Sequence, residues 1–170
     1  SEMNKKVIGI VGLGSIGKGV ARRAQGFGMK VLAFDMYKDE TYAKENGIEY
    51  TDLETIYKES DFISLHLPLT EETHEMIGKK EFEMMKESAI LVNTARGGIV
   101  DEDVLYDALK EGTIMAAGVD VFEQEPPKNL QLLELDNLLV GAHCAASSVE
   151  AIDNMSMMAA TNLLEGLESD

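Results

Sequence analysis

A single cysteine, Cys144, stands among 170 residues, so no internal disulfide can form. Histidine is also sparse, with three unclustered copies, and with one cysteine this makes a metal site of ordinary ligand spacing untenable. Positive charge is scarce: fifteen Lys and Arg face thirty-one Asp and Glu, for a formal net charge of −16. Such a balance repels phosphodiester backbones and anionic membrane surfaces, which argues against nucleic acid and membrane as partners. No apolar run approaches membrane-spanning length, no secretory signal is visible, and no repeat, low-complexity stretch or Pro/Gly-rich linker marks a domain boundary. These absences point to one domain in a reducing cytoplasm.

Against them, 45% of the residues are hydrophobic, enough for one sizeable core and too few for two. Short Val/Ile/Leu runs alternate with helix-like segments, the pattern of βαβ units. Strands are predicted at 7–11, 30–34, 62–65, 89–93, 115–119 and 138–140, with a weaker one at 48–50. Helices are predicted at 16–26, 41–46, 53–58, 79–84, 102–111 and 148–167. The expected fold is a Rossmann-type, doubly wound α/β domain with a mainly parallel sheet of six or seven strands. Several strands are apolar throughout, as where helices cover both faces of a sheet. Gly26, Gly28, Gly47 and Gly112 fall at expected helix stops. Val149, Ile152, Met155, Ala159, Leu163 and Leu167 form one stripe of the terminal helix, for which core packing is the first expectation. Acidic residues at 71–72 and 165–170 read as solvated surface, and Ser1-Glu2-Met3 carries no fold signal.

The run Val7-Ile8-Gly9-Ile10-Val11 leads directly into Gly12-Leu13-Gly14-Ser15-Ile16-Gly17, and an amphipathic helix follows. A G-x-G-x-x-G string alone is weak, but here it has the strand before it and the helix after it. Gly12 permits the tight turn, Gly14 lets a pyrophosphate approach the backbone, and Gly17 allows close helix–strand packing. Free N–H groups at the helix start then favour phosphate. Asp35, ending the next strand, is the acid expected to bind the ribose hydroxyls, which favours NAD over NADP; Lys38 nearby pulls the other way. Gly12 to Lys18 also begins like a phosphate loop, but Gly19 stands where Ser or Thr would hold magnesium.

Three residues follow three separate predicted strands: Arg96, Glu125 and His143. In open α/β sheets, residues beyond the carboxyl ends of strands converge on one crevice. Arginine can clamp a carboxylate bidentately, although at this position it could equally be a surface residue paired with an acid. Histidine titrates near neutrality, as an acid/base at a hydroxyl carbon requires, and Glu125 is the candidate to fix its tautomer; a strand-end histidine can also be structural. Gly97 and Gly98, following Arg96, suggest backbone held close to something. His66 suits a pocket-shaping role, His74 reads as an ordinary exposed residue, and Ser147-Ser148 lacks the elbow of a hydrolase nucleophile.

Four stretches in order, Val11 to Gly17, His66-Leu67-Pro68-Leu69-Thr70, Asn93 to Glu102 and Gly118 to Pro126, resemble the nucleotide-binding domain of the D-isomer-specific 2-hydroxyacid dehydrogenases, with a phosphoglycerate-dehydrogenase-like flavour. The resemblance covers residues 7 to about 164. It implies an NAD-dependent oxidoreductase in which Arg96 orients substrate, Glu125 supports the base and His143 is the acid/base. Around the cofactor it implies Gly12, Gly14, Ser15, Ile16, Gly17, Asp35, Leu67, Thr94, Ala95 and Ala145, with Asp120 on the nicotinamide amide and Pro68 lining the cleft. A 2-hydroxy or 2-keto acid is the implied substrate and a homodimer the implied assembly. This chain departs from the family's usual Thr-Pro-His and following Ala-Gly pair, reading Gly141-Ala142-His143-Cys144-Ala145-Ala146. Family members are also about twice this length, so residues 4–167 are expected to be the NAD-binding domain alone, with the substrate domain absent and little or no turnover by this chain. A non-catalytic NAD-sensing or interaction module is the alternative; retention of Arg96, Glu125 and His143 speaks against it. A methyltransferase on a similar sheet leaves Asp120, Glu125 and Pro126 without a task.

Overall fold

The computed structural model describes residues 2–168; Ser1, and Ser169 and Asp170 of the acidic terminal stretch, lie outside the described residues. Strands and helices alternate: β1 (Val7–Val11), α1 (Ser15–Gly26), β2 (Lys30–Phe34), α2 (Glu40–Glu45), β3 (Glu49–Tyr50), α3 (Leu53–Glu59), β4 (Phe62–Leu65), α4 (Lys79–Met84), β5 (Ile90–Asn93), α5 (Glu102–Glu111), β6 (Ala116–Val119), α6 (Leu130–Leu133), β7 (Leu138–Val140) and α7 (Val149–Glu168). All seven strands are parallel, in the order β3-β2-β1-β4-β5-β6-β7. The order reverses between β1 and β4, and that reversal opens a crevice at the carboxyl ends.

Register makes those ends a single row. Val11 pairs with Phe34 on one side and Leu65 on the other, Leu65 with Asn93, Asn93 with Val119 and Val119 with Val140. Backbone bonds extend the row one residue further, from Gly12 N–H to the Phe34 carbonyl at 2.8 Å, from Asp120 N–H to Asn93 at 3.0 Å and from Gly141 N–H to Val119 at 2.7 Å. Loops far apart in sequence, from the one after Val11 to the one after Val140, therefore leave the sheet along the same edge, which is what a multi-loop site needs.

Local chemistry explains the helices. Asp39, Asp52, Asp101 and Asn129 each accept a first-turn N–H at the N-caps of α2, α3, α5 and α6, satisfying donors that have no intrahelical partner. Gly112 ends α5 in the left-handed region at φ 74°, where a side chain would be strained. Along β1 and β2 the side chains alternate between two cores. Ile8, Ile10, Val31 and Ala33 face Ala21 and Ala24 of α1, whereas Val11, Leu32, Ile63, Leu65 and Leu91 face Ile56, Phe82 and Leu105 of α3 to α5.

Two expectations are corrected. The sheet is not covered on both faces throughout. Beyond Phe62, the α1 side of β5–β7 carries no helix among the described residues, and Ile90, Val92, Ala116, Gly118 and Leu139 border an open apolar cleft of about 330 Å³. Nor does the α7 stripe enter the core: Ile152 is 49%, Met155 52% and Leu163 64% exposed. Amphipathic spacing shows that a face has apolar character but not which surface it meets. The short helix α6, four residues long, was not foreseen; a single turn has too few positions for a period to register. The weak strand near 48–50 is real but only two residues long, at the sheet edge.

Candidate active site

The glycine loop has the shape its residues require. Gly12 sits at φ 99°, and a Cβ there would lie 2.6 Å from the His66 carbonyl oxygen. A Cβ on Gly17 would overlap the Gly12 carbonyl, so helix and strand meet backbone to backbone. Gly14 is different: it faces open space, with nothing within 4 Å of its Cβ position. It is the N-cap of α1, has no side chain with which to cap, and the first turn contains no acid. The N–H groups of that turn are consequently available to an anion, and Ser15 and Ile16 are exposed beside them. Asp35 faces the same loop. Its Oδ2 accepts the Leu13 N–H at 2.7 Å and its Oδ1 the Tyr37 N–H at 2.8 Å. An open backbone cradle, unclaimed helix-start donors and an anchored strand-end carboxylate together fit a dinucleotide.

From this loop a cleft of about 570 Å³ runs along the ends of β4 and β5, lined by Ile16, His66, Leu67, Pro68, Thr94, Ala95 and Arg96. His66 lies 2.9 Å from the Ser64 hydroxyl, and burial pushes its pKa below the usual histidine value, so it stays neutral near pH 7. Arg96 is exposed in this wall, and its Nη1 donates to the Ala95 carbonyl at 2.6 Å. Asn93, only 2% exposed, was not singled out by sequence, yet it shapes this turn. Its side chain accepts the Ala95 N–H at 3.1 Å and donates to the Arg96 carbonyl at 2.9 Å. The available signal was an Asn directly after an apolar strand, which favours side-chain-to-backbone turns. Gly97 explains why glycine follows: a Cβ there would overlap the Phe122 carbonyl. The backbone held close to something is the loop carrying Glu125.

On the next two strand ends, Nδ1 of His143 lies 3.0 Å from both Oε1 and Oε2 of Glu125. The Glu125 carboxyl is held below its usual range by the His143 hydrogen bond and then by the Phe122 N–H, 3.3 Å from Oε1. Asp120 accepts the His143 backbone N–H on Oδ1 at 2.8 Å, pinning the residue in the left-handed region at φ 49°. Gly141 lets Asp120 reach in, because a Cβ would overlap its Oδ1. Half-exposed His143 and Glu125 thus form a pair open to solvent, and Asp120 is brought to the same loop.

Strand-end convergence brings most of the expected residues to one edge. Gly12, Gly14, Ser15, Ile16, Gly17 and Asp35 surround the glycine loop; Leu67, Pro68, Thr94, Ala95 and Arg96 line the cleft; His143 bonds Asp120 through its backbone N–H and Glu125 through its ring. Arg96 makes no hydrogen bond or ion pair to that last group. Ala145 is exposed two residues beyond His143 and joins none of these contacts. His74, read as an ordinary exposed residue, is indeed exposed, 3.8 Å from Glu123. Among the described residues no group of three His, Cys, Asp or Glu is placed to hold a metal, and no helix is long and apolar enough to cross a membrane.

A parallel sheet whose order reverses beside an open glycine loop, with a carboxylate closing the second strand, defines a Rossmann-type dinucleotide-binding domain. The particular family follows from comparison with known proteins. Residues 1–145 match the model of the D-isomer specific 2-hydroxyacid dehydrogenase NAD binding domain, and the chain belongs to that family. It is 53% identical over 160 residues to a glyoxylate reductase of Korarchaeum cryptofilum, covering 94% of this chain and 48% of that protein. A D-3-phosphoglycerate dehydrogenase of Methanocaldococcus jannaschii is 48% identical over 151 residues, covering 88% of this chain and 29% of that protein. Among solved structures, D-lactate dehydrogenase from Aquifex aeolicus, complexed with NAD and lactic acid, superposes with a TM-score of 0.91 at 38% identity, covering 100% of this chain and 56% of that one. A glyoxylate reductase from Paecilomyes thermophila gives 0.93 at 34% identity, covering 99% and 51%. The chain thus spans about half the length of the glyoxylate reductases it matches.

Proposed function

We propose that residues 4–167 are the cofactor half of an NAD-dependent oxidoreductase acting on a small 2-hydroxy or 2-keto acid, and that the substrate domain lies outside this chain. The observation that carries this reading is the His143–Glu125 pair, 3.0 Å apart on strand ends beside the open glycine loop. Gly12, Gly14, Ser15, Ile16 and Gly17 would hold the pyrophosphate, Asp35 the adenosine ribose, and Leu67, Pro68, Thr94, Ala95, Asp120 and Ala145 the nicotinamide end. When bound, NAD supplies the two-electron hydride chemistry. Arg96 spends one N–H on Ala95, leaving most of its five donors to clamp the substrate carboxylate. In the direction of reduction, protonated His143 delivers the Nε2 proton to the forming hydroxyl oxygen; in oxidation neutral Nε2 takes it back. Glu125 stabilises the imidazolium through Nδ1 and orients the ring.

The names of the relatives point to glyoxylate, hydroxypyruvate and 3-phosphoglycerate as substrates to try. A homodimer is supported by the exposed α7 stripe and the open apolar face of β5–β7, and a reducing cytoplasm by a sequence with one exposed cysteine. NADH fluorescence titration of the chain tests cofactor binding, with saturation below millimolar cofactor expected. The whole protein should reduce glyoxylate or hydroxypyruvate with NADH, or oxidise the 2-hydroxyl of 3-phosphoglycerate with NAD. Bound NADH with no turnover across a broad 2-keto acid panel would replace this reading with an NAD-sensing module.

A further inference from the structure

The loop between β2 and α2 touches the start of α1 at two points. Asp35 receives the Leu13 N–H, and four residues later Asp39 Oδ2 lies 2.6 Å from Lys18 Nζ. Between them Met36 and Tyr37 are 77% and 92% exposed, so this stretch forms an open lip beside the place assigned to the adenosine ribose. Two cations border it. Lys18 rests 4.4 Å from the Tyr42 ring centroid and is paired with Asp39, while Lys38 lies 5.5 Å from that of Tyr50. Asp35 and Glu40 are the other charged groups on the lip.

Asp39 is more than a helix cap. Its Oδ1 accepts the Tyr42 N–H at 3.0 Å, and its own N–H donates to the Tyr50 hydroxyl at 3.1 Å. Asn or Ser would cap α2 as well, but neither would neutralise Lys18. The second oxygen is committed to the ammonium, and the mutual bond raises the lysine pKa and lowers that of the aspartate. A phosphate on the ribose 2′ position is a dianion that gains affinity from any unpaired cation within reach, and a lysine on a flexible four-carbon stem is such a cation once released.

We propose that Asp39 is a second determinant of NAD over NADP, acting by holding the Lys18 ammonium away from the ribose 2′ position. This rests on the NAD-binding reading and adds to it. Asp35 repels the extra phosphate directly, and Asp39 removes the charge that would attract it.

The test uses the whole chain, with NADH and NADPH affinities measured by fluorescence titration in low and high salt. Asp39→Asn, which keeps the cap and removes the charge, should shift the ratio of affinities toward NADPH about tenfold at low salt, with the gain shrinking at high salt. Adding Lys18→Met should return the ratio to its starting value. An Asp39→Asn ratio that does not move, or a gain that survives Lys18→Met, would overturn the proposal. If the unaltered chain shows no saturable NADH binding, the NAD reading itself fails; NADH binding with an unmoved ratio removes only the role of Asp39.

Discussion

Two glycines two residues apart in one loop should fail in opposite ways. At Gly14 the backbone is extended, φ −73° and ψ −164°, and a methyl group would touch nothing within 4 Å. Gly14→Ala loses some N-cap preference and restricts the unfolded chain, effects of opposite sign that leave stability within about 1 kcal/mol of the parent. The same methyl group, however, occupies the open side through which a pyrophosphate would reach the first-turn N–H groups. Losing one charge-assisted hydrogen bond costs about 1.5–3 kcal/mol, so NADH affinity should fall roughly 10- to 100-fold. Gly12→Ala meets a wall instead, since φ 99° and a Cβ position 2.6 Å from the His66 carbonyl oxygen leave backbone against backbone. Left-handed strain of about 1–2 kcal/mol plus overpacking of about 1–3 kcal/mol gives a loss near 3 kcal/mol, or about 6–12 °C in Tm for a chain of this size. Urea unfolding and NADH fluorescence titration on the same samples separate the two effects. Gly14→Ala binding NADH as tightly as the parent, or melting as early as Gly12→Ala, would refute the assignment of the open side to phosphate.

Other consequences are more local. Leu91→Ala, at a position 1% exposed between β4 and β6, should cost about 2–5 kcal/mol, whereas Leu163→Ala, 64% exposed on α7, should stay within about 0.5 kcal/mol at low protein concentration; urea midpoints that match would restore α7 to the core. Burial pushes the Asp61 carboxyl up, but the Val7 N–H, Lys86 and Lys6 outweigh it and hold the group below the usual range. Its folded pKa is therefore below the unfolded one, and its contribution is present above the ordinary carboxylate value of about 3.9 and lost as pH falls through the folded value. Asp61→Asn should cost about 1–2 kcal/mol at pH 7 and progressively less below about pH 4; a gap independent of pH would exclude the ion pairs as its source. In the whole protein, Glu125→Gln should lower kcat about 10- to 1000-fold with little change in NADH affinity, and His143→Asn at least as much; weakened NADH binding in step with kcat would make the pair a cofactor contact rather than an acid/base.

Much of this arrangement is encoded close to where it occurs. Each strand foreseen from apolar runs exists to within one residue at either end, because a strand of this parallel sheet is apolar along its run, on covered and open faces alike, and carries that mark in a few adjacent residues. The glycine loop is legible for a similarly local reason: Gly12 and Gly17 answer to backbone geometry within one turn, Gly14 between them leaves one side open, and Asp35 follows the next strand. Strand-end placement then brings Glu125 and His143 together, since parallel order makes residues beyond successive carboxyl ends neighbours.

Other features depend on partners distant in sequence, and no local period reports them. Asn93 looks like any polar strand end until its amide is seen holding both Ala95 and Arg96, and Lys18 looks like a solvated helix residue until Asp39, 21 positions away, is found against it. Gly97 announced a close approach, but only the packed chain identifies Phe122 as the neighbour. For α7 and the open face of β5–β7, the sequence determined that apolar surface exists, through side-chain type and spacing. Whether that surface is buried was decided by tertiary structure, because burial belongs to a pair of surfaces and the composition of one of them says nothing about where the other lies.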